Sequence, residues 1–216
     1  PKTPKPHLDE PKFVFFTINN LSNKMSSKFI ASAAMGMPMF VNFMRKQNVD
    51  INESNSANEE TRKAICILDP QPNQTAYGVV HFEQEHFYSK TKISGEFKGL
   101  TEGKHGFHIH QFGNLLKGCA TAGPHYNPFN KEHGGPDSEI RHVGDLGNVE
   151  ANKEGLASYY REDHLISLFG AYSVLGRSCV LHADEDDLGL GGHELSKITG
   201  NAGGRVACGV IGTCMP

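Results

Sequence analysis

The sequence predicts an all-β fold, an antiparallel sandwich or barrel of about eight strands. Three observations carry this. Short runs rich in β-branched and aromatic residues recur from Arg62 to the end of the 216-residue chain. Glycine, proline and asparagine punctuate them. No stretch repeats apolar residues at the spacing of an amphipathic helix.

The first strand is expected at Ala64–Leu68, closed by the turn pair Pro72-Asn73. Gly78–Glu83 and Lys92–Phe97 follow, the latter ending at Gly99. After Gly103 comes Phe107–His110. Val143–Val149 and Gly155–Tyr160 flank an Asn152–Gly155 turn. Arg177–His182 follows Gly170, and Arg205–Ile211 follows the glycines of 189–192. Two connections are too long for hairpins: Gln111–His142 and Ala183–Gly204. Long loops without structure of their own in a compact domain are usually functional.

Residues 1–62 have a different texture and are expected to be an extension to a domain at 63–216. Pro1, Pro4, Pro6 and Pro11 mark a flexible tail. From Phe13 to Val49 there is no acid, and the apolar stretch Phe29–Met44 is broken by Gly36 and Pro38. A secretory signal, an organelle transit peptide and an extension without a targeting role all stay open. Asp50–Thr61 is polar and non-periodic and is expected to be a disordered linker. The compartment expected is cytoplasmic, or secreted or organellar if the extension is a targeting segment. The sequons at Asn20, Asn52 and Asn73 matter only in a secreted chain.

Lys and Arg total 21 and Asp and Glu 24, a net charge of -3, which leaves no footprint for nucleic acid. No run of 18 uninterrupted apolar residues occurs, so no membrane-spanning helix is expected. The five cysteines form no CxxC or CxC pair, which argues against a thiolate zinc site.

Histidine is the outlier. Six of the 12 fall between His105 and His142. His108 and His110 form an H-x-H on a strand, so both imidazoles project from one face. His125, His133 and His142 follow in the long loop, Asp145 comes three residues later, and His182 ends a later strand. Imidazoles with one carboxylate and no thiolate suit zinc or copper. A His3Asp set suits tetrahedral zinc, and an all-imidazole set suits copper. Spacing alone does not say which histidine serves which metal. His7, His81, His86, His164 and His193 are read as ordinary hydrogen-bonded residues. So is His105, whose register is odd to the pair.

Five motifs then carry a family resemblance. Gly106-Phe-His-Ile-His-Gln-Phe-Gly113 resembles the copper-binding signature of copper/zinc superoxide dismutases. Gly123-Pro-His-Tyr-Asn-Pro128, His133-Gly-Gly-Pro136 and Arg141-His-Val-Gly-Asp-Leu-Gly-Asn148 resemble the same family. Gly200–Gly212 is similar to its second signature. The resemblance covers about residues 63–216 and implies an eight-stranded Greek-key barrel with two long functional loops.

It also implies roles. His108, His110, His125 and His182 would bind copper, and His125, His133, His142 and Asp145 would bind zinc. His125 would bridge the two metals and carry a proton. Asp186 would orient one histidine of each set. Arg205 would sit beside the open copper position, and Cys119 and Cys208 would form the disulfide. The substrate implied is superoxide, converted to oxygen and hydrogen peroxide. A homodimer is the expected assembly, and a copper chaperone is a candidate partner for metal loading.

Some positions depart from the family. Glu194 and Thr199 of its guiding loop are present, but Leu195 replaces an acid and the base is Lys197, one position early. Leu115 and Leu116 stand where polar residues are common. They follow Phe112-Gly113, which resembles part of the dimer contact. Three rivals fit less well. A chaperone with a dismutase-like domain would need a CxC or MxCxxC motif. A copper-only relative would lack the zinc ligands. An inactive paralogue would be expected to have lost a ligand or Arg205.

Overall fold

The computed structural model describes residues 61–214. The expectations placed on residues 1–60 lie outside the described residues.

Among the described residues nine strands form: β1 (Arg62–Pro70), β2 (Tyr77–Gln84), β3 (Thr91–Lys98), β4 (Gly103–His110), β5 (Leu116–Cys119), β6 (Asp145–Ala151), β7 (Ala157–Asp163), β8 (Ser178–His182) and β9 (Arg205–Thr213). Eight of them make one antiparallel sheet in the order β6-β4-β8-β9-β1-β2-β3-β7. It curls into a nearly closed barrel. The remaining seam lies between edge strands β6 and β7, where side chains substitute for ladder bonds: Tyr159 Oη donates to Leu146 O at 2.9 Å.

Period-two alternation drives the closure. In β1, Ala64, Cys66 and Leu68 point inward, and in β3 Ile93 and Phe97 do. Phe107 of β4 stacks edge-on between Phe97 and Tyr159, with ring centroids 5.3 and 5.4 Å away. Each fully buried side chain of this size contributes about 1.5–3 kcal/mol. This inward set builds the core, and it leaves the alternate residues of β4, including His108 and His110, on the outer face beneath the loops.

Four details differ from the sequence reading. β4 begins at Gly103, because Lys104 and His105 pair with Glu150 and Val149. β6 begins at Asp145, not Val143, because His142–Gly144 turn back on themselves: Asp145 Oδ2 accepts the His142 amide. β7 runs Ala157–Asp163, because Gly155 sits at φ 74° in the preceding turn. The first long loop holds the extra short strand β5 and a 3-10 turn, Ala120–Ala122. The second long loop spans 183–204 as expected and holds only α1, the four-residue helix Ser196–Thr199.

Cys119 and Cys208 form a disulfide, Cα atoms 5.7 Å apart, tying β5 to β9. Cys66 and Cys179 are buried and Cys214 is exposed. Leu115, which stands where polar residues are common, is partly buried and packs against Cys119, Ala122, Val180 and Cys208. Leu116 is 88% exposed.

Candidate metal centre

Strand register assembles the site. β6, β4, β8 and β9 are adjacent in the sheet, so residues opposite each other share a face. His108 of β4 pairs with Asp145 of β6, His182 of β8 with Arg205 of β9, and His110 makes an isolated bridge with His125. A register shift between Gly106 and His108 re-aims the strand beside the site.

Two buried groups result, and they share His125. One holds His108, His110, His125 and His182; the other holds His125, His133, His142 and Asp145. Every histidine expected from the sequence is in its group, and His105 is not. That residue bonds His182 O and Thr101 O through its two ring nitrogens, 3.0 Å each.

Hydrogen bonds decide which nitrogen of each ring is left over. His110 Nδ1 bonds Gly123 O at 2.8 Å and His182 Nδ1 bonds Gly203 O at 3.2 Å. Their Nε2 atoms then face each other at 3.4 Å. His108 Nε2 bonds Asp186 Oδ2 at 2.8 Å, leaving Nδ1 buried without a partner. His125 Nε2 is likewise buried and unpartnered. The first group therefore presents four imidazole nitrogens to one space.

In the second group, Asp145 Oδ1 lies 2.8 Å from His125 Nδ1, 3.0 Å from His133 Nδ1 and 3.1 Å from His142 Nδ1. His133 Nδ1 is near enough to bond but too poorly aligned to do so. His125 and His142 do bond Asp145 Oδ1, so three imidazole nitrogens converge on one carboxylate oxygen, a donor set of the kind that could hold a metal ion.

Asp186 links the groups. Its Oδ2 takes His108 Nε2 and its Oδ1 takes His133 Nε2, both at 2.8 Å. Such carboxylates fix ring orientation and raise ligand basicity. His108, His133 and Asp186 could also be grouped as donors, but these nitrogens are already spent on the carboxylate. Asn148 holds Asp186 from behind, donating to its carbonyl at 2.9 Å and accepting its amide at 2.8 Å. Gly200, at φ 67°, lets the second loop pass over the pair, since a Cβ there would collide with Asp186 Oδ1.

Burial sets the protonation. Desolvation pushes His108, His110 and His125 below the ordinary imidazole range and takes His182 down to about 3. These rings stay neutral and able to ligate. His133 goes the other way: burial opposes a charge, but Asp145 and Asp186 outweigh it and raise the pKa to about 9. Burial also opposes ionisation of Asp145, yet the three imidazoles hold it far below the carboxylate range.

Arg205 is half-buried beside this site. Its guanidinium donates to Cys119 O at 2.6 Å and Gly123 O at 2.7 Å, the second carbonyl being the one that orients His110. Among the described residues no carboxylate forms an ion pair with it, and burial lowers its pKa. The charge is therefore free to attract an anion. A cleft of about 770 Å³ opens nearby, lined by His125, His142, Thr199 and three cations, Lys131, Arg177 and Lys197, against one acid, Glu132. Glu194 and Leu195 do not line it.

Sequence reasoning missed Asn148, Arg141, Gly200 and Lys131. The first three stand inside quoted motifs without a role, because a hydrogen bond to a ligand's partner leaves no spacing signature. Lys131 is an isolated base in a loop.

The family model "Copper/zinc superoxide dismutase (SODC)" matches residues 76–211, well over half of the chain. The match spans every residue of both buried groups, together with Asp186 and Arg205. With the barrel, the disulfide and two donor clusters suited to its cofactors copper and zinc, the chain belongs to the copper/zinc superoxide dismutase family and is an oxidoreductase acting on superoxide.

Proposed function

We propose that copper is held by His108, His110, His125 and His182, that zinc is held by His125, His133, His142 and Asp145, and that the chain dismutes superoxide through them. The observation that carries this reading is the pair of buried donor sets joined by one imidazole, His125, with its Nε2 turned to one set and its Nδ1 to the other. Four neutral imidazoles suit an ion that cycles between two oxidation states. Three imidazoles and a carboxylate suit tetrahedral zinc, whose ligand atoms would stand about 3.3 Å apart at ordinary bond lengths. The Asp145 distances of 2.8, 3.0 and 3.1 Å need little expansion to reach that.

When bound, copper supplies a one-electron couple that oxidises one superoxide to oxygen and reduces a second, with two protons, to hydrogen peroxide. The residues supply access, orientation and protons. His125 keeps Nδ1 among the zinc donors and can hold a proton at Nε2 whenever that nitrogen is not a ligand. Asp186 keeps His108 and His133 oriented through the cycle. Arg205 draws the anion in and holds it beside His110, while Lys197 and Lys131 bias its approach. In a chain of net charge -3, attraction has to be local in this way.

A homodimer and loading by a copper chaperone belong to the same proposal. Phe112, Leu116, Ile67 and Val210 are exposed, and Val210 lies against Gly113 beside Phe112. Exposed apolar side chains gain by burial at a partner. Sedimentation that finds a single chain at micromolar concentration would remove the dimer.

Arg205 provides the test of function. Arg205→Glu should lower the dismutation rate constant roughly 10- to 1,000-fold, the range over which electrostatic focusing acts, with copper and zinc content intact. Arg205→Lys should keep more activity. The fall of rate with added salt should flatten or reverse in the Glu variant. Wild-type rate and salt slope in Arg205→Glu would remove Arg205 from the mechanism.

A further inference from the structure

The zinc donors His133 and His142 sit at the two ends of one loop, and a side chain on the barrel wall bonds one end directly and shares with the other end a common partner, Asp163. Arg161, on edge strand β7, is partly buried. Its Nη2 donates to Pro136 O at 2.8 Å and to Asp137 Oδ1 at 2.6 Å, just past His133. Its Nε donates to Asp163 Oδ2 at 3.3 Å. That same oxygen takes Arg141 Nη2 at 2.5 Å, and Arg141 Nη1 donates to the carbonyl of Asp145 at 2.5 Å. Asp163 is fixed in turn, because its Oδ1 accepts the Leu165 and Ile166 amides at 2.7 and 3.0 Å.

The placement matters because β6 and β7 are the sheet's two edges and share no ladder. The loop that carries the zinc donors runs directly into β6. Without cross-seam contacts, this loop would be held to β7 only weakly. Pro136, gripped by Arg161, also packs over Gly147 of β6, where a Cβ would come within 2.9 Å of its ring.

We propose that Arg161 is a positioning residue for the zinc site, a three-way clamp that holds the 133–142 loop against β7 and sets how long zinc is retained. It touches no donor atom, and the copper donors His108, His110 and His182 stand on β4 and β8 away from the clamp. The exposed Asp137 contact contributes little alone, since solvent screens it. The Pro136 carbonyl and the half of the clamp that runs through buried Asp163 to Arg141 carry the effect. The proposal rests on the zinc assignment above.

The test is zinc release from the metal-loaded protein to a chromogenic chelator, with copper retention and the melting temperature of the metal-free protein measured alongside. Arg161→Met keeps the aliphatic stem and removes every donor. Direct partners of metal ligands are worth 10- to 100-fold in affinity. Arg161 stands one contact further out, so release should quicken roughly ten-fold while copper stays bound. Arg161→Lys, which keeps one donor group but not the fork, should fall between and serves as the readout if the Met variant does not fold. Glu162→Gln, on the same strand but facing solvent, should release zinc at the wild-type rate. Equal release from wild type and both Arg161 variants would overturn the proposal. So would a loss of both metals in step with a lower metal-free melting temperature, which would mark Arg161 as a general stabiliser. Failure of the zinc assignment would look different, because wild type would then carry no zinc to release.

Discussion

Asp145 and His133 show how much a single residue sets at this site. Asp145 Oδ1 faces three imidazoles while Oδ2 accepts the amides of His142 and Gly134 at 2.8 and 3.2 Å. His133 lies between two carboxylates, and its pKa of about 9 stands above the ordinary 6.5. A group raised on folding stabilises the folded state fully below its unfolded pKa and loses that contribution as pH climbs through the folded one. The metal-free protein should therefore lose thermal stability between about pH 6.5 and pH 9. In Asp145→Asn, which removes one of the two carboxylates, the fall should be shallower. Thermal unfolding of both proteins after metal removal checks this, and parallel slopes would count against it. With His133 as the zinc donor proposed above, the same proton would have to leave when zinc binds, so zinc affinity should rise with pH over that window. At this scale the sequence spoke clearly about donors and poorly about their supports. An H-x-H on a strand and a cluster of loop histidines stand out against chance, whereas Asp186 and Arg205 gained roles only from the family resemblance. Asn148 and Arg141 act through other residues and carry no pattern.

Among the elements, the strands were the most legible part. Alternation in β1, β2 and β3 makes the buried face readable residue by residue. Boundaries were missed where local hydrogen bonding overrides the pattern, as at His142–Gly144, or where strand pairing extends past the apolar run, as at Gly103–Gly106. The short β5 was invisible because Leu-Lys-Gly-Cys alternates too briefly to be read. Its importance lies in the disulfide. The bridge closes a ring with a sequence separation of 89, and a chain-entropy treatment gives about 4–5 kcal/mol for a loop of that length. Cys119 O is also one of the two anchors of Arg205. Reducing the bridge should lower stability by about that amount and reduce the dismutation rate more than it reduces metal content. Denaturant titration and a rate assay on the reduced and oxidised protein test both parts. An unchanged midpoint would show that β5 is held by packing alone.

Taken as a whole, the molecule separates two tasks by the two faces of one sheet. Inward residues of eight strands make the core. The outward residues of four neighbouring strands, β6, β4, β8 and β9, with two long loops folded over them, make the two buried donor sets. The central claim is that this arrangement holds two different metals in two donor sets that share His125. Elemental analysis of the purified wild-type protein and of Asp145→Ala tests it most directly. The account predicts about one copper and one zinc per wild-type chain, with zinc lost preferentially and copper largely kept in the variant. Copper falling while zinc stays would contradict it.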